Sequence, residues 1–238
     1  VVNEKDEELE KVSTGAWVGE FGWELFAWQG QLRHKAKKEG LQMVCTTRPG
    51  NGLLYKDFAQ VKFFEPASYA DRFNWVSRTP SQADFPVQDM SRKPAEYIPF
   101  GTASKKNHFD FLIHARNRKR CRPGDNWNLQ NWSQVLDNLE GRVGSIGKRD
   151  QASHIPGTED LRGIPLTETA NILASSQMVI GCSSGAMHLA TLCRCPQVVW
   201  SGVPRTMKRF EEVWNPFKVK VSPICKNHPS PGEVLDAI

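Results

Sequence analysis

Apolar residues in this chain come in short runs, separated by segments with helical spacing. Residues 16–18, 41–46 and 61–64 are runs short enough for buried parallel strands. Between the first two, a segment with apolar residues at Leu25, Phe26, Trp28, Leu32 and Ala36 predicts a helix over 23–39 that Gly40 ends. Gly50-Asn51-Gly52 predicts a turn into a short helix near 53–58. Residues 76–107, rich in Pro, Ser, Asp and Lys without a sustained period, read as a connecting stretch. Beyond it the pattern predicts a strand at 109–114, an amphipathic helix at 131–139, strands at 141–146 and 161–164, and a helix at 167–174. Ser230, Pro231 and Glu233 supply an N-cap, a first-turn proline and an N3 acid, so a last helix is predicted over 234–238. Strand–helix alternation of this kind places the chain in the α/β class, with parallel sheets that bind ligands at strand carboxyl ends.

The segment 178–199 is the most telling: a strand, a tight turn, a helix, a second turn and a second strand. Its turn, Gly181-Cys182-Ser183-Ser184-Gly185, is built of small residues and leads into a helix beginning at Ala186. A helix opening on small residues just past a strand offers backbone N–H groups and a positive dipole end to an anion, such as a nucleotide's phosphates. An ordinary ligand-free βαβ turn fits the same letters. Arg116, Arg118, Lys119, Arg120 and Arg122 crowd the loop that follows the 109–114 strand. A run of cations is often a solvated surface, so only part of this one is expected to meet a ligand.

Bulk properties narrow the class. With 238 residues, 39% hydrophobic content and eight Trp, the chain can bury a sizeable core. No apolar run approaches the roughly 18–20 residues of a membrane span. Residues 1–15 are charged, without the apolar stretch of a secretory signal, and are expected to be a tail. Six cysteines include no C-x-x-C pair, and Cys193-x-Cys195 is not a usual zinc spacing, so reduced thiols in a cytoplasm are expected. The net charge of +5 does not by itself identify a nucleic-acid binder.

Three stretches together resemble the GT-B glycosyltransferases, and most closely glycosyltransferase family 9, the lipopolysaccharide heptosyltransferase-like enzymes. They are VIGCSSGAMHLATL with the preceding LTETANILASSQ, then FLIHAR with its basic segment and NWSQVLDNL, and finally WVGEFGWELFAWQGQLR. The resemblance implies two Rossmann-like parallel-sheet domains facing a cleft. These are an abbreviated acceptor-side domain over 16–100 and a nucleotide-sugar-binding domain over 101–238. It also implies inverting transfer of a sugar to an acceptor hydroxyl of a saccharide or lipid-linked saccharide. Where the family has an acidic residue before its Ser/Thr-Gly pair, this chain has Ser183, which bears on the donor sugar used.

Such chemistry needs a base for the acceptor hydroxyl and positive charge for the departing diphosphate. Glu20, on the turn between Gly19 and Gly22, is the candidate base, and the resemblance places the family's acid after the matching glycine. The alternative is a carboxylate that merely favours the helix N-terminus. Glu24, one turn on, reads as a neighbouring or structural group. Arg116, Arg118 and Lys119, with Ser183, Ser184, Gly185 and Ala186, are the expected donor contacts; Arg118 and Lys119 match a cation in the family's loop. His188 reads equally as a phosphate neighbour or a packed core histidine, and His114 carries the same ambiguity. Trp200, Trp214 and the Pro204-Arg205 turn could wall the donor site. No Asp-x-Asp motif occurs, so no metal and no cofactor beyond the sugar nucleotide are expected. Two further readings stay open. One is the same transfer onto a hydroxylated base in DNA; the other is a non-catalytic nucleotide or nucleic-acid binding module.

Overall fold

The apolar runs pair as parallel strands in two sheets. A computed structural model describes residues 11–14, 17, 20–63, 94–119 and 123–238. The chain divides into two units, Val1–Glu96 and Tyr97–Ile238.

In the first unit, β1 (Lys11–Ser13), β2 (Gln42–Thr47) and β3 (Ala59–Phe63) form a parallel sheet in that order. Two residues of the expected 16–18 strand, Ala16 and Val18, lie outside the described residues. The strand that pairs with β2 is earlier, inside the stretch read as a charged tail. With one apolar residue in Lys-Val-Ser, it has no hydrophobic pattern to announce it. The expected helix runs as α1 (Phe21–Trp23), a π-helical segment (Glu24–Trp28) and α2 (Gln29–Glu39). Gly40, at φ 65°, ends it in the left-handed conformation that glycine adopts without steric cost. Buried Arg33 of α2 pairs with Asp57 at 2.7 Å and donates to the Leu54 carbonyl at 3.0 Å and to the Gln29 side chain. This fastens a 3₁₀ turn, Asn51–Leu54, against α2, where a longer helix at 53–58 was expected.

The second unit holds a six-stranded parallel sheet. Its strands are β4 (Phe111–His114), β5 (Val143–Ser145), β6 (Glu159–Asp160), β7 (Met178–Cys182), β8 (Gln197–Trp200) and β9 (Val221–Ile224), in the spatial order β6-β5-β4-β7-β8-β9. Leu112, Ile113, Val179, Ile180, Val198 and Val199 are wholly buried, so both sheet faces are covered, as parallel sheets require. Each such side chain contributes about 1.5–3 kcal/mol by leaving water. On one face Ile113, Ile180, Cys182, Val198 and Trp200 pack with Trp132 and Val135 of α3 (Leu129–Leu136) and Val234 of α7 (Pro231–Leu235). The opposite face carries α5 (Gly185–Leu192), preceded in the chain by α4 (Leu166–Ser175).

Local chemistry sets the ends. Asn128 caps α3 by accepting from Gln130 N–H, starting that helix two residues before the expected 131. Ser230 and Glu233 close a capping box on α7, as their spacing predicts, but the helix begins at Pro231 and not at 234. The expected 161–164 strand is replaced by the two-residue β6. The Pro204-Arg205 turn is the start of a helix, α6 (Pro204–Glu211), and β9 has no counterpart in the sequence reading.

Residues 97–108 strap across α4 and α5. Phe100 N–H donates to Leu192 O at 2.9 Å, and Thr102 N–H to Asn171 Oδ1 at 2.8 Å. Between them Gly101 sits at φ +78°, where an added Cβ would fall 2.2 Å from the Ala170 carbonyl oxygen. Gly101→Ala is expected to cost about 2 kcal/mol or more, read as a lowered urea midpoint. Gly124→Ala, which meets nothing within 4 Å, is expected to leave the midpoint unchanged.

Candidate functional site

The six strands run β4, β5, β6 to one side and then β7, β8, β9 to the other. This creates a topological switch point between β4 and β7, where doubly wound sheets bind ligands beyond the strand carboxyl ends. β4 ends at His114 and β7 at Cys182, and the chain after each carries the predicted donor residues. Ser183 is tied by its N–H to Trp200 O at 2.8 Å. Ser184 is the N-cap of α5, extended at φ −161°, and its hydroxyl makes no capping bond. Residues 183–186 form a half-buried rim, whereas everything from Met187 to Leu192 is buried. No acidic residue occupies the first turn of α5, so nothing there opposes an anion.

The basic loop contributes unequally. Arg116 is buried and pairs with Asp125 at 3.4 Å. Arg118 is half-buried, its backbone clamped by Asn126, which accepts from Arg118 N–H at 3.0 Å and donates to Arg118 O at 2.9 Å. Lys119 is exposed; Arg120 and Arg122 lie outside the described residues. The Asn126 clamp and the Asp125 pairing carry no sequence signal, because both depend on how a loop folds back.

His188 belongs to the core. Its ring stacks on Phe210 at 4.6 Å and meets Trp214 edge-on at 4.7 Å, and burial pushes it down to about 3. Trp214 is thus committed to that cluster, and Trp200 to another with Trp127 and Trp132, so the two indoles line the interior and not a ligand wall.

In the first unit, Glu20 is half-buried at the N-cap of α1. It makes no side-chain capping bond, and its backbone carbonyl accepts from Trp23 and Glu24 N–H. Of its flanking glycines, Gly22 lies in α1 and Gly19 lies outside the described residues. Glu24 differs sharply: it is fully buried in the π-helical segment. One oxygen accepts from Thr47 at 2.7 Å and Tyr55 at 2.8 Å, and the other from Asn51 at 2.8 Å. Burial raises its pKa, opposed by those donors and by the Arg48 charge. These partners come from β2, a 3₁₀ turn and its end, a convergence no local spacing reveals. π-helical turns recur at functional sites, and here one turns a carboxylate inward.

Two pH effects follow. For Glu24 the folded value lies above the ordinary 4.5, so its stabilisation is full below that pH and is lost as pH rises through the folded value. Glu24→Gln is expected to remove that loss in urea titrations repeated across pH. For His188 the sign reverses: the unfolded chain takes up a proton near 6.5 that the folded one refuses until about 3, so stability falls as pH drops between them. His188→Phe, which keeps the ring stack, is expected to flatten that acid limb in the same titrations.

Comparison with known proteins follows the same lines. No family model matches the chain. The autotransporter heptosyltransferase Aah of Escherichia coli is 35% identical over 97 residues, 36% of this chain and 25% of its own length. The chain therefore spans a quarter of the curated relative it matches. The iron-containing heptosyltransferase TibC, solved as a dodecamer with ADP-D-beta-D-heptose, superposes with a TM-score of 0.58 at 20% identity, covering 84% of this chain and 60% of TibC. ADP-heptose lipopolysaccharide heptosyltransferase II of E. coli gives 0.59 at 11% identity, covering 95% of this chain and 96% of its own. E. coli WaaC with ADP gives 0.55 at 11%, covering 95% and 98%. TibC corrects one expectation, that no metal or cofactor is involved, since two of its structures are described as iron-containing. Among the described residues no group of three or more His, Cys, Asp or Glu side chains is placed to hold a metal ion. Burial also holds the Cys182 and Cys195 thiols up at about 12, in the protonated form that binds metal poorly. The described residues thus do not fit iron. The parallel-sheet architecture, these superpositions and the partial sequence match make this a chain of the GT-B fold that resembles the heptosyltransferases.

Proposed function

We propose that this protein transfers a sugar from a nucleotide-diphosphate donor to an acceptor hydroxyl, with inversion at the anomeric carbon. The observation that carries the reading is the start of α5 at the switch point. It is a helix N-terminus free of acidic residues, with its N-cap hydroxyl turned aside and the Arg116–Lys119 loop following the adjacent strand. Backbone N–H groups of residues 184–186 and the Arg118 and Lys119 cations would take the diphosphate, binding it by charge-assisted hydrogen bonds and the helix dipole. Arg116, already paired with Asp125, would add field from within and shape the loop. Glu20 would accept the proton of the attacking hydroxyl, leaving that oxygen to displace the diphosphate; attack from the opposite side inverts the centre.

ADP and ADP-heptose are bound by the similar enzymes described above, which supports an adenine nucleotide and a heptose as the first donors to try. Ser183, without a carboxylate, would meet the donor sugar through a hydroxyl. A saccharide or lipid-linked saccharide is the acceptor class we favour. The described cysteines are free, which suits a reducing cytoplasm. No helix among the described residues is long and apolar enough to cross a membrane.

The absent carboxylate at Ser183 also fits a module that binds the nucleotide without turnover, and one experiment separates the two. Glu20→Gln is expected to bind ADP within about twofold of wild type, yet lose at least about 100-fold in transfer from ADP-heptose to a saccharide acceptor. Arg118→Ala is expected to weaken ADP by about tenfold, roughly 1.4 kcal/mol. Wild-type protein that binds ADP tightly but transfers to no acceptor favours the non-catalytic module. Transfer that survives Glu20→Gln overturns the assignment of the base.

A further inference from the structure

His114 is the last residue of β4, and its ring is built into the switch point. Gly147, just past β5, sits at φ +123°, where an added Cβ would stand 3.0 Å from His114 Cδ2 and 3.1 Å from Nε2. Gly181 of β7 would likewise place a Cβ 3.2 Å from His114 Cβ. Gly147 therefore leaves the space that the imidazole fills, and Gly181 leaves room for the His114 Cβ and backbone beside it. Burial, with the nearby Arg118 and Arg116 charges, pushes the ring down to about 4, so it is neutral across the physiological range. Its Nδ1 lies 3.1 Å from Ser184 Oγ.

That bond decides what the serine can do. A serine at an N-cap ordinarily accepts from the N–H of the second or third helical residue, as Ser230 does from Glu233 N–H at 3.3 Å. Ser184 makes no such bond. Its hydroxyl is held across the gap between β4 and β7, and the first-turn N–H groups of α5 are not consumed by its oxygen. Either orientation of the shared proton satisfies both groups. With Nδ1–H donating, the serine proton points onward to an anion.

We propose that His114 is a positioning residue for the diphosphate site, holding the Ser184 hydroxyl off its own helix so that the hydroxyl and the opening N–H groups of α5 are presented together. This rests on the donor reading above. The role is steric and hydrogen-bonding and needs no proton exchange with the donor.

The test is ADP affinity measured by calorimetry on the full chain. His114→Leu, which fills the space without a polar atom, is expected to weaken ADP by about tenfold. His114→Asn, which places an amide near the Nδ1 position, is expected to restore binding to within about threefold. His114→Gln, whose amide reaches toward the Nε2 end, is expected not to restore it. Ser184→Ala should weaken ADP as much as His114→Leu, with the double variant no weaker than either, because the two act as one unit. Equal binding by wild type and His114→Leu, additive losses in the double variant, or rescue by Gln but not Asn overturns the positioning role. Should the Leu variant not fold, the Asn–Gln comparison alone decides. Wild-type protein that binds no ADP overturns the donor reading itself, a different result from wild type and His114→Leu binding alike.

Discussion

The second unit depends on one constraint: six parallel strands must cover both faces with helices while their carboxyl ends stay clear. Reversing the strand order between β4 and β7 sends consecutive connections to opposite sides and leaves a gap that no connection crosses. Into that gap open the end of β4, the small-residue turn after β7 and the first turn of α5. Bulky residues there would close it: Gly147 is needed beside the His114 ring, and Gly181 beside the Met187 sulfur and the His114 Cβ and carbonyl. The dipole of α5 and the cations of the Arg116–Lys119 loop then set the sign of what can enter.

The first unit solves a different problem. Glu24 is buried, and burying a carboxylate is costly unless donors replace its water. Thr47, Tyr55 and Asn51 do so, drawing the end of β2 and the following 3₁₀ turn onto the helix. Arg33, farther along in α2, holds Asp57 and the Leu54 carbonyl in the same way. Between them the two side chains fix the β2–β3 connection against the π-helical segment and α2 more specifically than apolar contact alone would. Glu20 sits immediately before this locked segment, at the N-cap, with its side chain uncommitted to capping.

The readable parts of the chain were those whose signal is local. The apolar run Met178 to Ile180, the small-residue turn and the α5 helix follow from composition over a few residues, although Gly181 and Cys182 of that expected turn continue β7. So do the Gly40 helix stop and the Ser230–Glu233 capping box, because each depends on neighbours in sequence. Illegible parts were those whose partners are remote or whose segments are short. β1 has three residues and one apolar side chain; β6 has two, both acidic. The start of α6 reads as a turn on sequence alone because Pro204 marks turns and helix N1 positions alike. Trp200 and Trp214 could have been ligand walls on letters alone, since an indole serves a core or a cleft equally well.

By itself the sequence determined the α/β class, the order of most elements, the small-residue turn before a helix and the basic loop after a strand. These rest on periodicity, glycine placement and charge, which act over a handful of residues. Only the tertiary structure decided which side chains those elements bring together: His188 into an aromatic core, Glu24 into a buried ring of donors, and Ser184 onto His114 instead of its own helix. Those outcomes depend on distances between residues tens of positions apart, such as the 70 that separate His114 from Ser184, and strand order sets those distances.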